Sequence, residues 1–134
     1  MRRLLVDTGP LVALTNARDR RHAEAADFFS RFDGALVTTV AVVTEVCALL
    51  PRHLGSRFLH SIKDSLFALA HIPEQELPAL AALMDKYADR PMDFTDAGLL
   101  WLSEASGIRD IATLDGGFAF YRTARGRALR NRFG

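Results

Sequence analysis

Four acidic residues are spaced along this chain so that a doubly wound α/β fold could bring them to one place. Asp7 ends the first apolar run of the sequence, and Asp115 ends a later one. Glu45 lies inside the apolar segment Val40 to Leu50, and Asp96 lies in the first turn of a predicted helix. Carboxylates in apolar segments are expensive to bury, so such groups usually face a cleft and bind a cation. The pattern predicts a site for a divalent metal ion.

Topology alone places two of these acids. Asp7 and Asp115 each follow a predicted parallel strand. Open parallel sheets bind ligands at the carboxyl ends of their strands, where the strand order reverses. We therefore expect these two carboxylates at the same crevice.

The other acids have structural alternatives. Asp93 and Asp96 are three positions apart at a helix start, so Asp93 is predicted to cap that helix. Asp96 could be an acid favoured by the helix dipole, but the small residues Ala97 and Gly98 leave space for a ligand and favour a functional role. For Glu45 the alternative is a salt bridge to a buried arginine, and a metal pocket explains a carboxylate among apolar neighbours better.

The elements that must position these acids alternate in type. Short apolar runs alternate with segments of helical period, which predicts an α/β fold with a mostly parallel sheet of four or five strands. The predicted strands are Arg3 to Asp7, Ala35 to Thr38, Leu66 to Ile72, Asp110 to Leu114 and a short fifth, Phe118 to Arg122. The predicted helices are Gly9 to Asn16, Arg21 to Phe32, Val40 to Leu50, Leu54 to Ser65, Glu74 to Tyr87 and Phe94 to Ser106.

Composition narrows the class of protein. A chain of 134 residues with 49% hydrophobic content is expected to form a single domain, residues 1–134. Its one cysteine, Cys47, excludes a disulfide framework and a thiolate metal cluster and fits a reducing, cytoplasmic setting. The apolar run after Met1 is too short for a signal peptide, and no run is long enough to span a membrane. We therefore expect no membrane partner.

The C-terminal end is basic, although the formal net charge of the chain is only +1. After Asp115 the chain carries five arginines and no acid. The planar guanidinium suits bidentate phosphate contacts, so four of these residues are candidate RNA contacts; the alternative is a solvated edge with a compositional bias. These four candidates are Arg122, Arg125, Arg127 and Arg130.

Taken together, the four segments of the chain that carry its acidic residues resemble a PIN domain, and within that family the VapC-type toxins of toxin–antitoxin pairs. The resemblance runs nearly end to end and rests on four acids in this order and spacing. The segments that carry it are Leu5 to Leu14, Thr44-Glu45-Val46, Pro91 to Ala97 and Ile108 to Asp115.

The resemblance implies a PIN-like three-layer α/β/α sandwich and an endoribonuclease that depends on Mg²⁺ or Mn²⁺. It implies that Asp7, Glu45, Asp96 and Asp115 form the catalytic and metal-binding quartet. It also implies an antitoxin partner and a homodimer. One departure is the loop Gly116-Gly117-Phe118, where such proteins more often carry charged residues. The polar neighbours and the frequent fifth acid of the family match Thr8, Thr113 and Asp93.

Two other functions share these residues. The first is a PIN-like RNA-binding or RNA-processing module that keeps the acidic pocket with weak or no catalysis. The second is a phosphatase-like or receiver-like pocket in which an aspartate accepts a phosphoryl group. The lack of the usual companion lysine argues against the second.

Overall fold

A computed structural model describes residues 1–65 and 67–134 as an α/β fold around one parallel sheet. The five strands lie in the order β3-β2-β1-β4-β5, and all their pairings are parallel. The predicted α/β class and mostly parallel sheet are confirmed. The strands are β1 (Arg3–Val6), β2 (Ala35–Thr39), β3 (Phe67–Ala70), β4 (Asp110–Ala112) and β5 (Arg130–Asn131).

In the part of the chain that the structure describes, six α-helices connect the strands. Their bounds agree with the predicted helices to within three residues, and among the described residues none is long and apolar enough to cross a membrane. Two short 3₁₀ turns, Glu74–Glu76 and Gly116–Ala119, complete the structure. The helices are α1 (Thr8–Thr15), α2 (His22–Arg31), α3 (Val40–Leu49), α4 (Arg52–Lys63), α5 (Leu77–Lys86) and α6 (Phe94–Ser106).

The order in which strands are added reverses at β1, and this reversal positions the site. From β1 the chain adds β2 and β3 on one side, then crosses to place β4 and β5 on the other. Leu5 pairs with Val37 of β2 and with Ile111 of β4. Leu4, Leu5 and Val6 are fully buried, so β1 forms the centre of the core. The crevice between the carboxyl ends of β1 and β4 is therefore the switch point at which such sheets bind ligands.

The predicted fifth strand at Phe118 to Arg122 is wrong. The Asp115 carboxylate accepts a hydrogen bond from the Gly117 N–H at 2.8 Å, which folds the segment into a 3₁₀ turn. Phe118 and Tyr121 then both point into the core at a spacing of three, which is a helical period and not the alternation of a strand. The fifth strand is instead Arg130–Asn131.

Two further differences concern the middle of the chain. The predicted helix from Glu74 to Tyr87 begins as a 3₁₀ turn and becomes α-helical at Leu77, with Pro78 in its first turn. Proline is favoured there because its missing N–H has no partner at a helix start. The predicted strand Leu66 to Ile72 is observed as Phe67–Ala70, and Leu66 lies outside the described residues.

Candidate metal centre

An acidic cavity of about 420 Å³ lies at the carboxyl edge of the sheet. The structure brings the four predicted acids to this one cavity. Half of its twelve lining residues are acidic and none is basic. The six acids are Asp7, Asp19, Glu45, Asp93, Asp96 and Asp115.

Asp7 is held rigidly at the end of β1. It caps α1, and its Oδ1 accepts the Thr8 N–H at 2.8 Å while its Oδ2 accepts the Thr113 hydroxyl at 2.7 Å. Only 7% of the residue is exposed. Burial raises the pKa of Asp7, and the negative charges of Asp115 and Glu45 add to this rise, while the two hydrogen bonds oppose it. The carboxylate is fixed in place but electrostatically uncompensated.

Asp96 and Asp93 form a capping box at the start of α6. The Asp93 carboxylate accepts the Asp96 N–H at 2.9 Å, and the Asp96 carboxylate accepts the Asp93 N–H at 3.2 Å. The predicted cap is therefore present, and Asp93 still lines the cavity. Burial raises the pKa of Asp96 to about 8, helped by the charges of Asp93, Asp7 and Asp115. A group with this property accepts either a proton or a cation.

Glu45 reaches the cavity from α3. Its Oε2 accepts a hydrogen bond from the Thr95 hydroxyl of α6 at 3.1 Å. The described chain shows no arginine or lysine within salt-bridge distance of Glu45. The structural alternative for Glu45, an ion pair with a buried arginine, is therefore absent from the described residues.

Thr113 links the two acids that follow β1 and β4. Its hydroxyl donates to Asp7 and accepts the N–H of Asp115 at 2.9 Å. The side chain is 1% exposed, so this bridge is shielded from water. Asn131 holds the backbone of Thr113 from β5, accepting its N–H at 3.2 Å and donating to its carbonyl at 3.1 Å. Thr113 thus joins Asp7 and Asp115 through hydrogen bonds, and its supporting role in a metal site stays a prediction.

The donor set fits a hard divalent cation. All of its ligand candidates are carboxylate oxygens, and the buried Thr8 hydroxyl has no hydrogen-bond partner among the described residues. The carboxylates line one cavity but stand apart: across residues 1–65 and 67–134, no three acidic, histidine or cysteine side chains close around a single point. A cation bound among separated carboxylates completes its coordination with water.

The four tail arginines lie away from this cavity in the part of the chain that the structure describes. The Arg130 guanidinium pairs with Asp110 at 3.1 Å, at the amino end of β4. The Arg125 N–H donates to Glu104 near the end of α6, and the Arg122 guanidinium donates to the carbonyls of Ala119 and Tyr121. Arg127 is an exposed residue. Their predicted contact with RNA stays a prediction.

Two residues of the site have no place among the predicted ones. Asp19 reaches the cavity from the loop between α1 and α2. It lies among arginines in a polar segment, so neither a helical or strand periodicity nor an apolar neighbourhood identifies it as a site residue. Thr95, which donates to Glu45, is the direct neighbour of Asp96, and that adjacency is the one signal that could have identified it.

Comparison with known proteins gives consistent matches. A family model described as PIN domain matches residues 4–126. A curated relative, Ribonuclease VapC26 of Mycobacterium tuberculosis (strain H37Rv), is 27% identical in an alignment of 116 residues that covers 84% of this chain and 86% of the relative. The crystal structure of Mycobacterium tuberculosis VapC20, a sarcin–ricin loop cleaving toxin, superposes with a TM-score of 0.74 at 25% identity. This match covers 84% of this chain and 90% of that one.

Proposed function

The chain belongs to the PIN domain family, and on that premise we propose that it is a metal-dependent endoribonuclease of the VapC toxin type. It hydrolyses RNA phosphodiester bonds at the acidic cavity. The observation that carries this proposal is the charge of the cavity, with six carboxylates and no basic residue among its lining side chains. An RNA phosphate can approach such a surface only when cations offset the repulsion.

The proposed ligands of Mg²⁺ or Mn²⁺ are Asp7, Glu45, Asp96 and Asp115, supported by Thr8, Asp93 and Thr113. When bound, the ion would lower the pKa of a coordinated water and neutralise charge that develops on the phosphate. The side chains of the protein hold the ligand oxygens in position. Thr113 holds one Asp7 oxygen and Thr95 holds one Glu45 oxygen, so the directions of these carboxylates are set before substrate arrives. A side-chain nucleophile is not required for this reaction.

Gly9 lies directly against Leu114 at the cavity. A Cβ on Gly9 would stand 2.9 Å from Cδ1 of Leu114, and both residues line the cavity. Any side chain at position 9 would therefore displace Leu114, which is a half-exposed part of the rim. The absence of a side chain at Gly9 lets Leu114 pack closely against the start of α1.

We also propose the partners that the toxin type implies, which are a cognate antitoxin protein and a second copy of the chain, acting in the cytoplasm. Support for a homodimer comes from apolar side chains that remain exposed on α3, α4 and β3. Their exposed fractions range from 39% to 62%. These residues are Val40, Leu49, Leu59 and Leu69.

The test is an RNA cleavage assay with purified protein. An RNA hairpin that carries the sarcin–ricin loop and an unstructured RNA should be cut in MnCl₂ or MgCl₂ and remain intact in EDTA. The Asp96→Asn variant, purified in the same way, controls for contaminating nuclease. Binding of RNA without cleavage in either metal would favour the non-catalytic RNA-binding module instead.

A further inference from the structure

A second cavity, of about 400 Å³, lies beside the acidic one and has the opposite charge. Its eight lining residues include Arg18, His53 and Arg57 and no acid. Arg18 comes from the loop between α1 and α2, and the other two come from the first turns of α4. We call it the basic cavity. Nothing in the proposed hydrolysis uses it.

Neighbouring residues of the same two segments line the two cavities. Asp19 lines the acidic cavity, and its neighbour Arg18 lines the basic one. In the other segment, Leu49 at the end of α3 lines the acidic cavity, and Pro51 lines the basic one. Consecutive Cα atoms are about 3.8 Å apart, so the two cavities are separated by one step of the chain at Arg18 and Asp19 and by two steps between Leu49 and Pro51.

The arginines of the basic cavity are available for a ligand. Across residues 1–65 and 67–134, neither Arg18 nor Arg57 stands in an ion pair, and both side chains are exposed. By contrast, the nearby Arg21 is paired with Glu24 at 3.0 Å. The first turn of α4 also has no side-chain cap and no acid, so the positive end of its dipole adds to the local potential.

We propose that the basic cavity binds the phosphate backbone of the RNA next to the bond that is cleaved. The inference rests on the proposed function, because the RNA strand is taken to occupy the acidic cavity at the same time. One strand then has a phosphate at the carboxylates, where metal offsets the repulsion, and its next phosphates at Arg18 and Arg57. The planar fork of arginine binds phosphate oxygens in pairs, so these two residues position the strand without reading its bases.

The experiment measures binding of a fluorescently labelled single-stranded RNA by anisotropy, with the full chain, in EDTA, so that no cleavage occurs and the binding reports the contacts of the basic cavity without a metal-bound phosphate. The test variant is Arg18→Gln with Arg57→Gln. The matched control is Arg31→Gln with Lys63→Gln, which removes the same two charges from exposed positions outside both cavities. Thermal melts establish that all three proteins are folded.

Loss of two single-strand phosphate contacts should reduce the slope of log K against log salt by about 1.4. Between 50 and 200 mM salt, wild type should therefore lose about sevenfold more affinity than the test variant, and the control should keep the wild-type slope. In MgCl₂ the test variant should raise KM for RNA cleavage and leave kcat close to wild type, because the contacts are made equally in the ground and transition states.

An unchanged slope and KM in the test variant would overturn the inference, as would an equal loss in the control. Loss of binding to a poly-glutamate peptide with RNA binding intact would assign the cavity to an acidic protein and overturn it too. If wild type binds RNA through Arg18 and Arg57 but cuts none in either metal, the nuclease proposal fails and the basic cavity stands. If wild type cuts RNA and the test variant has the same salt slope and the same KM, the nuclease proposal stands and the inference about the basic cavity fails.

Discussion

β4 has an aspartate near each end, and the two stand in opposite environments. Asp110, its first residue, is paired with Arg130 and Arg132 at 3.1 Å each. Asp115, beyond its carboxyl end, accepts only the N–H of Gly117, and within the described chain it has no basic partner. The charge of Asp110 is balanced by two arginine side chains, whereas Asp115 has no such partner in the described chain and remains available to bind a cation from solution.

The contrast extends to the two edges of the sheet. At the amino edge, Asp110 lies in a cavity with three arginines, Arg3, Arg109 and Arg130. At the carboxyl edge, six acids line a cavity without a basic residue. Exposed ion pairs contribute about 0 to 1 kcal/mol to stability, so the amino edge gains little from its pairs. The carboxyl edge is destabilised by its own repulsion, which is typical of a functional site.

The largest difference between the two edges should appear in catalysis. Asp7→Asn and Asp115→Asn should each slow RNA cleavage by on the order of a thousandfold, since a bound metal ion supplies several kcal/mol of transition-state stabilisation. Asp110→Asn removes an aspartate from the same strand region without touching the cavity, and we expect its rate to stay near wild type. Single-turnover cleavage in MgCl₂ measures all three.

The effects of the site variants should not add, because their carboxylates serve one metal centre. The double variant Asp7→Asn with Asp115→Asn should therefore be no slower than the slower single variant. A rate for Asp115→Asn close to that of Asp110→Asn would remove Asp115 from the quartet. Multiplicative losses in the double variant would show two independent roles.

A smaller difference should appear in stability without metal. The folded-state pKa of Asp96 is raised to about 8, so between about pH 4 and pH 8 the native state binds more protons than the unfolded state. The free energy of unfolding should then fall as pH rises through this window, and level off above it. In EDTA, wild type should lose several degrees of melting temperature between pH 5 and pH 8, and Asp96→Asn should lose fewer.

Metal should reverse this loss. At a hundredfold excess over Kd, Mg²⁺ should stabilise wild type by about 2.7 kcal/mol. Asp96→Asn should show a smaller metal-induced shift, whereas Asp110→Asn should show the full one. If Asp96→Asn proved less stable than wild type in EDTA at pH 8, with an undiminished Mg²⁺ shift, Asp96 would be only a helix-start residue.

The difference between the edges could be predicted from sequence only in part. Asp7 and Asp115 are predictable because each ends an apolar run, and a parallel sheet brings such ends together. The contact of Thr95 with Glu45 joins positions 50 apart and has no local signal. β5 has only two residues, which is too short for an apolar run that would predict a strand. Its contact with the site is made by Asn131, which accepts the N–H of Thr113. The basic cavity likewise depends on tertiary packing of one loop against α4.

The smallest effect should come from the arginine-rich tail. Its sequence predicts phosphate contacts, but Arg130 is paired with Asp110, and Arg125 lies 4.0 Å from the Glu104 carboxylate, so both charges are partly offset. We expect Arg125→Gln with Arg130→Gln to flatten the salt slope of RNA binding by less than about 0.7, the share of one phosphate contact. The Arg18 and Arg57 variant, measured on the same RNA, should change it about twice as much or more. If the tail variant changed the salt slope as much as the basic-cavity variant does, RNA would also contact the amino edge of the sheet. The ion pairs of the tail arginines would then be replaced by contacts with RNA phosphates.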